Sequence, residues 1–194
     1  MPLALPNERH SINWFGALLA VAVVVGLCVL GCASAPPPSP RPTPAVAPAG
    51  DPGAAFVERA LRRRGLRFGT DGSVRALWGY LSHAHHPVAL AAARAGDVLF
   101  FDTRPGADAP SCDSGAGRTG IVEAVARDGR ITFVEERDGR VRTSFADPAN
   151  PALRRNARGE IANTFLRAKT ATDPGDTRYL AGEMFCGAVR ADHR

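Results

Sequence analysis

Apolar residues are laid along the chain in three different rhythms. From Trp14 to Leu30 they run almost without interruption and without charge; after Gly53 they recur at helical spacing, and after Gly96 at strand spacing. Phe56, Val57, Ala60 and Leu61 fall on one helical face behind an Asp51-Pro52-Gly53 start signal, with Gly65 as terminator after the basic last turn. Val74, Leu77, Trp78 and Leu81 predict a second helix, entered through the polar Thr70, Asp71 and Ser73. Strands are predicted at Val98–Phe101, Thr119–Ala126, Ile131–Glu136 and Val141–Phe145. The turn signals Arg127-Asp128-Gly129-Arg130 and Asp138-Gly139 separate the last three as hairpins. A further strand is expected at Ile161–Lys169. Tyr179–Val189 reads as a terminal helix with a face of Leu180, Met184, Phe185 and Ala188. Helices first and strands afterwards predict an α+β fold: N-terminal helices packed on an antiparallel sheet of about five strands, closed by a C-terminal helix.

The first rhythm has another meaning. An apolar stretch behind Arg9, ending in the small-residue site Val29-Leu30-Gly31-Cys32, reads as a lipoprotein signal peptide over residues 1–31. Its lipobox-like end makes Cys32 the acylation site and the first residue of the mature chain. Several acyl chains there would anchor the protein stably to a membrane. Ala33, where Asp would favour inner-membrane retention, directs the expectation to the outer membrane of a Gram-negative envelope, facing the periplasm. The alternative is a transmembrane helix, for which the run is just long enough. Eight of the 16 prolines lie between Cys32 and Gly53, so residues 32–52 are expected to be an extended tether. Residues 53–194 remain for a single domain of ordinary size.

Charge and cysteine content narrow the chemistry. The net charge is +5 with a pI near 9.6, carried almost wholly by arginine. Apart from Arg62-Arg63-Arg64 the cations are interspersed with acids, the pattern of a solvated basic surface rather than of a nucleic-acid site. With Cys28 removed and Cys32 acylated, Cys112 and Cys186 remain as an even pair in an oxidising compartment, which predicts a disulfide. The competing reading makes Cys112 a nucleophile. No phosphate loop, dinucleotide fingerprint or zinc-type cysteine cluster is present, and no cofactor is expected. His83, His85 and His86 have metal-like density, but without a nearby Cys or acidic ligand they read as a solvated loop beside Pro87, and no metal is expected.

The stretch Gly96-Asp97-Val98-Leu99-Phe100-Phe101-Asp102, followed after a gap by Thr119-Gly120-Ile121-Val122, resembles a strand pair of the NlpC-type and CHAP-type cell-wall amidase and peptidase superfamily. Gly129–Glu136 is similar to that superfamily's third strand, and Asp71-Gly72-Ser73 to the start of its nucleophile helix. The resemblance covers about residues 54–146. It implies a papain-like fold and a link to peptidoglycan, but not the chemistry. The nucleophile position falls on Gly72 and the histidine position on Arg118, whose guanidinium stays protonated and cannot act as a base. Glu135 and Glu136 read as surface charges or as a relic of the residue that orients the histidine.

These readings lead to a lipid-anchored, non-catalytic domain that binds or scaffolds at peptidoglycan or a cell-wall enzyme. Arg118 is the candidate cation for a peptide carboxylate, and Asp71 and Ser73 are further candidate contacts. Ser73 also reads as a helix cap. The alternatives are an active cell-wall hydrolase using Cys112 with a histidine from 83–86, and a purely structural lipoprotein.

Overall fold

In the computed structural model, the residues described are 50–191, apart from 68, 70, 71 and 107. The chain divides at Ala45/Val46 into two units, and every described residue belongs to the second. The signal peptide, Cys32, most of the tether and Asp71 thus lie outside the described residues.

Both expected helices form. α1 (Pro52–Arg63) is capped by the Asp51 carboxylate, which accepts from the amides of Gly53 (2.8 Å) and Ala54 (3.2 Å). α2 (Val74–Ala84) is capped by Ser73 Oγ, which accepts from Ala76 N at 3.1 Å. β1 (His86–Val88) follows, then a single 3₁₀ turn at Leu90–Ala92 and β2 (Val98–Asp102). Next come the one-turn helix α3 (Cys112–Gly115), β3 (Ala116–Val125), β4 (Ile131–Arg137), β5 (Arg140–Ala146), the one-turn α4 (Ala181–Met184) and β6 (Phe185–Arg190). All six strands are antiparallel, in the order β1-β6-β2-β3-β4-β5. The fold is α+β.

β2 is buried along its whole length because both faces of the sheet are covered. Val98 and Phe100 turn toward α1 and α2, packing with Val57, Leu61, Leu77 and Leu81. Leu99 and Phe101 turn the other way, packing with Val122, Phe133, Leu166 and Met184. The first of these is the helix face and the second the loop face.

Three expectations are corrected. The C-terminal helix is a single turn that gives way to β6, inserted between β1 and β2; the sheet has six strands rather than about five. Residues 161–169 form no strand, only the isolated bridges Arg155–Ile161 and Phe165–Leu180. The buried Asn163 spends its amide on loop backbone instead: Nδ2 donates to the carbonyls of Asn150 and Leu153, and Oδ1 accepts from the amides of Asp147 and Gly182. Of the three histidines only His85 lies between elements, in the bend that joins α2 to β1. His83 is in the last turn of α2, His85 caps it, and His86 pairs with Arg190 on β1.

The expected disulfide is present. Cys112 on α3 and Cys186 on β6 are bonded, with Cα atoms 5.2 Å apart. Trp78 covers the bond's neighbourhood, its ring filling the space a side chain at Gly187 would take and its indole N–H donating to Asp113 at 2.9 Å.

Candidate functional site

Thr119, Glu135 and Ser144 are buried polar residues on three successive strands, and buried polar groups require partners. Thr119 Oγ1 donates to the Leu99 carbonyl at 2.9 Å, locking β3 to β2. Glu135 is 1% exposed, which corrects its reading as a surface charge. Ser144 Oγ donates to its Oε1 at 2.7 Å, and Arg118 Nη1 lies 3.6 Å from its Oε2. Register explains the grouping. Arg118 is opposite Phe101, Phe133 is opposite Ser144, and Glu135 lies two residues beyond Phe133, so Arg118, Glu135 and Ser144 share the loop face, whereas Thr119, opposite Phe100, is on the helix face.

Arg118, Thr119 and Glu135 form one wall of a cleft of about 360 Å³ at the end of β2, β3 and β4, with Ser144 behind Glu135 and outside the lining. Asp51, Pro52 and Gly53 reach the cleft from the start of α1; Thr103, Gly117, Glu136, Arg137, Asp138 and Arg167 complete it. The acids and cations around it are largely engaged. Arg59 bridges Glu136 at 2.9 Å, and Arg137 Nη1 donates to the Phe165 carbonyl at 2.9 Å. Arg167 bridges Asp173 at 2.6 Å, and Tyr179 OH donates to the same carboxylate at 2.9 Å. The Thr170 amide, above all, holds the Asp173 carboxyl below its ordinary range, helped by Tyr179 and the Arg167 charge against burial. Burial first, and then the bond to Asp173, pushes the Tyr179 phenol up. Arg118 differs from Arg167. It is 26% exposed, and its one ionic contact among the described residues, to Glu135, is too long for a hydrogen bond, leaving guanidinium donors open to the cleft.

The family-derived positions are only partly brought together. Gly72 precedes the Ser73 cap in a left-handed conformation (φ 81°), and its carbonyl accepts from Asp51 N at 2.9 Å. Gly72 thus touches a residue that lines the cleft but does not line it itself. Ser73 is occupied as a cap, and Asp71 lies outside the described residues. α1 and α2 pack on the helix face, whereas Arg118 projects from the loop face, and the two meet only around the end of the sheet. No thiol or imidazole is among the residues lining the cleft. Cys112, being half of a disulfide, has no thiol to ionise. Among the described residues no group of three or more His, Cys, Asp or Glu could hold a metal ion.

Sequence reasoning missed Ser144 and Arg167. Ser144 was recoverable from alternation, since in Val141–Phe145 it is the small polar residue on the face opposite Val141. Arg167 carries no local signal; only the fold of the 147–180 segment brings it to the cleft.

A second buried carboxylate fixes the cleft's neighbourhood. Asp102, at the end of β2, accepts from Arg104 Nη2 at 2.6 Å, from Arg104 N at 2.9 Å and from Ser111 N at 3.0 Å. Burial alone would raise its pKa, but these hydrogen bonds and the Arg104 charge outweigh it and lower the value to about 2. That carboxylate ties the start of the loop between Thr103 and Cys112 to its end, and Arg178 Nη1 donates to the Asp108 carbonyl within it.

Comparison of the chain with protein-family models, with curated proteins and with solved structures gives no match.

Proposed function

We propose that this protein is a lipid-anchored component of the bacterial cell envelope whose papain-like, NlpC/CHAP-type domain binds peptidoglycan peptide without cleaving it. The observation that carries the reading is Arg118: a guanidinium held from behind by the buried Glu135, with donors open to the cleft and no thiol or imidazole among the lining residues. A fixed cation of this kind suits a peptide carboxylate, which accepts two parallel hydrogen bonds from a guanidinium. The same residues leave the cleft without a nucleophile–base pair of the Cys-His kind. Cys32 would hold the domain at the outer membrane, on its periplasmic side, through the tether.

The test is a titration of the full chain with soluble peptidoglycan fragments. Arg118→Ala is expected to weaken binding by about tenfold or more, the value of a charge-assisted hydrogen bond. Equal binding by wild type and Arg118→Ala would refute the role of Arg118. New amino groups released from the fragments would refute the non-catalytic reading. Loss of the chain from the membrane fraction on Cys32→Ser tests the anchor separately.

A further inference from the structure

β5 is the last strand of the sheet, and its outer edge is covered at one point. Phe145 N donates to Thr164 Oγ1 at 2.9 Å, and the Phe145 carbonyl accepts from Thr164 N at 3.0 Å. Phe145 therefore turns both backbone groups outward, and in an antiparallel ladder the alternation repeats every second residue. Thr143 and Val141 must then also point their N–H and C=O groups away from β4, and among the described residues nothing pairs with them. Unpaired edge groups of this kind are a template for another strand.

The side chains along this edge alternate as sharply as the backbone does. Arg140 and Arg142 stand on the loop face, Arg142 being opposite Glu135. Val141 is on the other face and 60% exposed, the most exposed of the large apolar residues described, and Phe165, next to the covering Thr164, is 43% exposed. An added strand would meet Arg140 and Arg142 on one side, Arg142 lying 4.0 Å from Asp138, and on the other the exposed Val141 beside Thr143 and the Arg59-bridged Glu136.

We propose that the Arg140–Thr143 edge of β5 receives an extended segment of a partner protein, with acidic residues alternating with β-branched ones. Its acids lie beside Arg140 and Arg142 and its apolar side chains beside Val141, while its backbone completes the ladder at Val141 and Thr143. A second copy of β5 fits poorly, because antiparallel pairing centred on Val141 sets Arg140 opposite Arg142 twice, with like charges in contact. The chain's own residues 33–49 fit poorly as well: they contain no acid, and their prolines cannot donate to a ladder.

The experiment is amide exchange at Val141 and Thr143 in the full chain, with and without a blocked peptide of alternating Glu and Val. A Lys-and-Val peptide serves as control. The Glu peptide is expected to slow exchange at those two amides, and Arg142→Glu, an exposed substitution, to weaken its binding about tenfold. Arg140→Glu provides the same readout should the first variant fold poorly, and Arg118→Ala should leave the effect intact, separating this edge from the cleft. Unchanged exchange at saturating peptide would overturn the proposal and leave Arg140 and Arg142 as charges that keep the edge from pairing. Equal protection by the Lys peptide would overturn it too, as would protection without peptide that tracks a dimer.

Discussion

Arg118 and Glu135 stand 3.6 Å apart on neighbouring strands, and Ser144 on the next strand donates to the far oxygen of the same carboxylate. Glu135 is thus held between a cation that faces the cleft and a hydroxyl that does not. Removing the carboxylate leaves Arg118 partly buried without its counter-charge, so Glu135→Ala should destabilise by about 3 kcal/mol. Ser144→Ala leaves one oxygen short of a donor and should cost about 1 kcal/mol. The double replacement Arg118→Met with Glu135→Leu should recover most of the first loss, because no buried charge is left over. Urea unfolding of the three variants decides; a double variant no more stable than Glu135→Ala would show that the two do not act as a pair.

Asp102 predicts the acid limit of the fold. Its folded-state pKa of about 2 lies below the ordinary 3.8, so the unfolded chain binds the proton more tightly. The carboxylate's contribution is complete above about pH 4 and is lost as pH falls through 2; the shift corresponds to roughly 2 kcal/mol. Asp102→Asn should therefore be less stable than wild type by roughly that amount at pH 7, with the gap closing near pH 2. Thermal melts across that range test it. A gap that stays constant with pH would mean that the charge of Asp102 contributes nothing.

The elements most legible in sequence are those whose burial is one-sided. α1 and α2 each show one apolar face, and β3, β4 and β5 are punctuated by Asp-Gly turns that form where expected. β6 was misread because Gly187, Ala188 and Val189 are all buried, so a strand covered on both faces loses its two-residue period. What remains, Leu180, Met184, Phe185 and Ala188, imitates a helix. β1 is three residues long with Pro87 at its centre, too short for any period. In the cleft, the sequence pointed to Arg118 and to the position of Glu135. It did not show that Glu135 is buried or that Arg118 leaves the sheet on the side away from α2. Those facts belong to the register between strands, which no single segment encodes.

The Cys112–Cys186 bond joins residues 74 apart in sequence, so it shortens the unfolded chain over about half the domain. Cys186→Ala should destabilise by about 4 kcal/mol on the chain-entropy account. The native, oxidised chain lacking its first 32 residues should show no reactive thiol. A thiol that labels before unfolding would reopen the reading of Cys112 as a nucleophile.

Gly120 lies two residues after Arg118, where β3 comes close to β4. A Cβ there would stand 2.7 Å from the Phe133 ring and 2.8 Å from the Val134 carbonyl oxygen. The ring has some freedom to turn, but the carbonyl belongs to the strand and can move only if the ladder moves. Gly120→Ala should therefore destabilise by about 2 kcal/mol despite the usual gain from a stiffer unfolded chain. Gly175→Ala, with nothing within 4 Å and no left-handed backbone, should be neutral or slightly stabilising and serves as the control. The cleft gives the prediction a second readout. Moving β3 against β4 separates Arg118 from Glu135, so Gly120→Ala should also weaken any ligand that Arg118 holds, whereas Gly175→Ala should not. Loss of stability with binding unchanged would mean that the strands yield elsewhere and that the Arg118–Glu135 spacing does not depend on this contact.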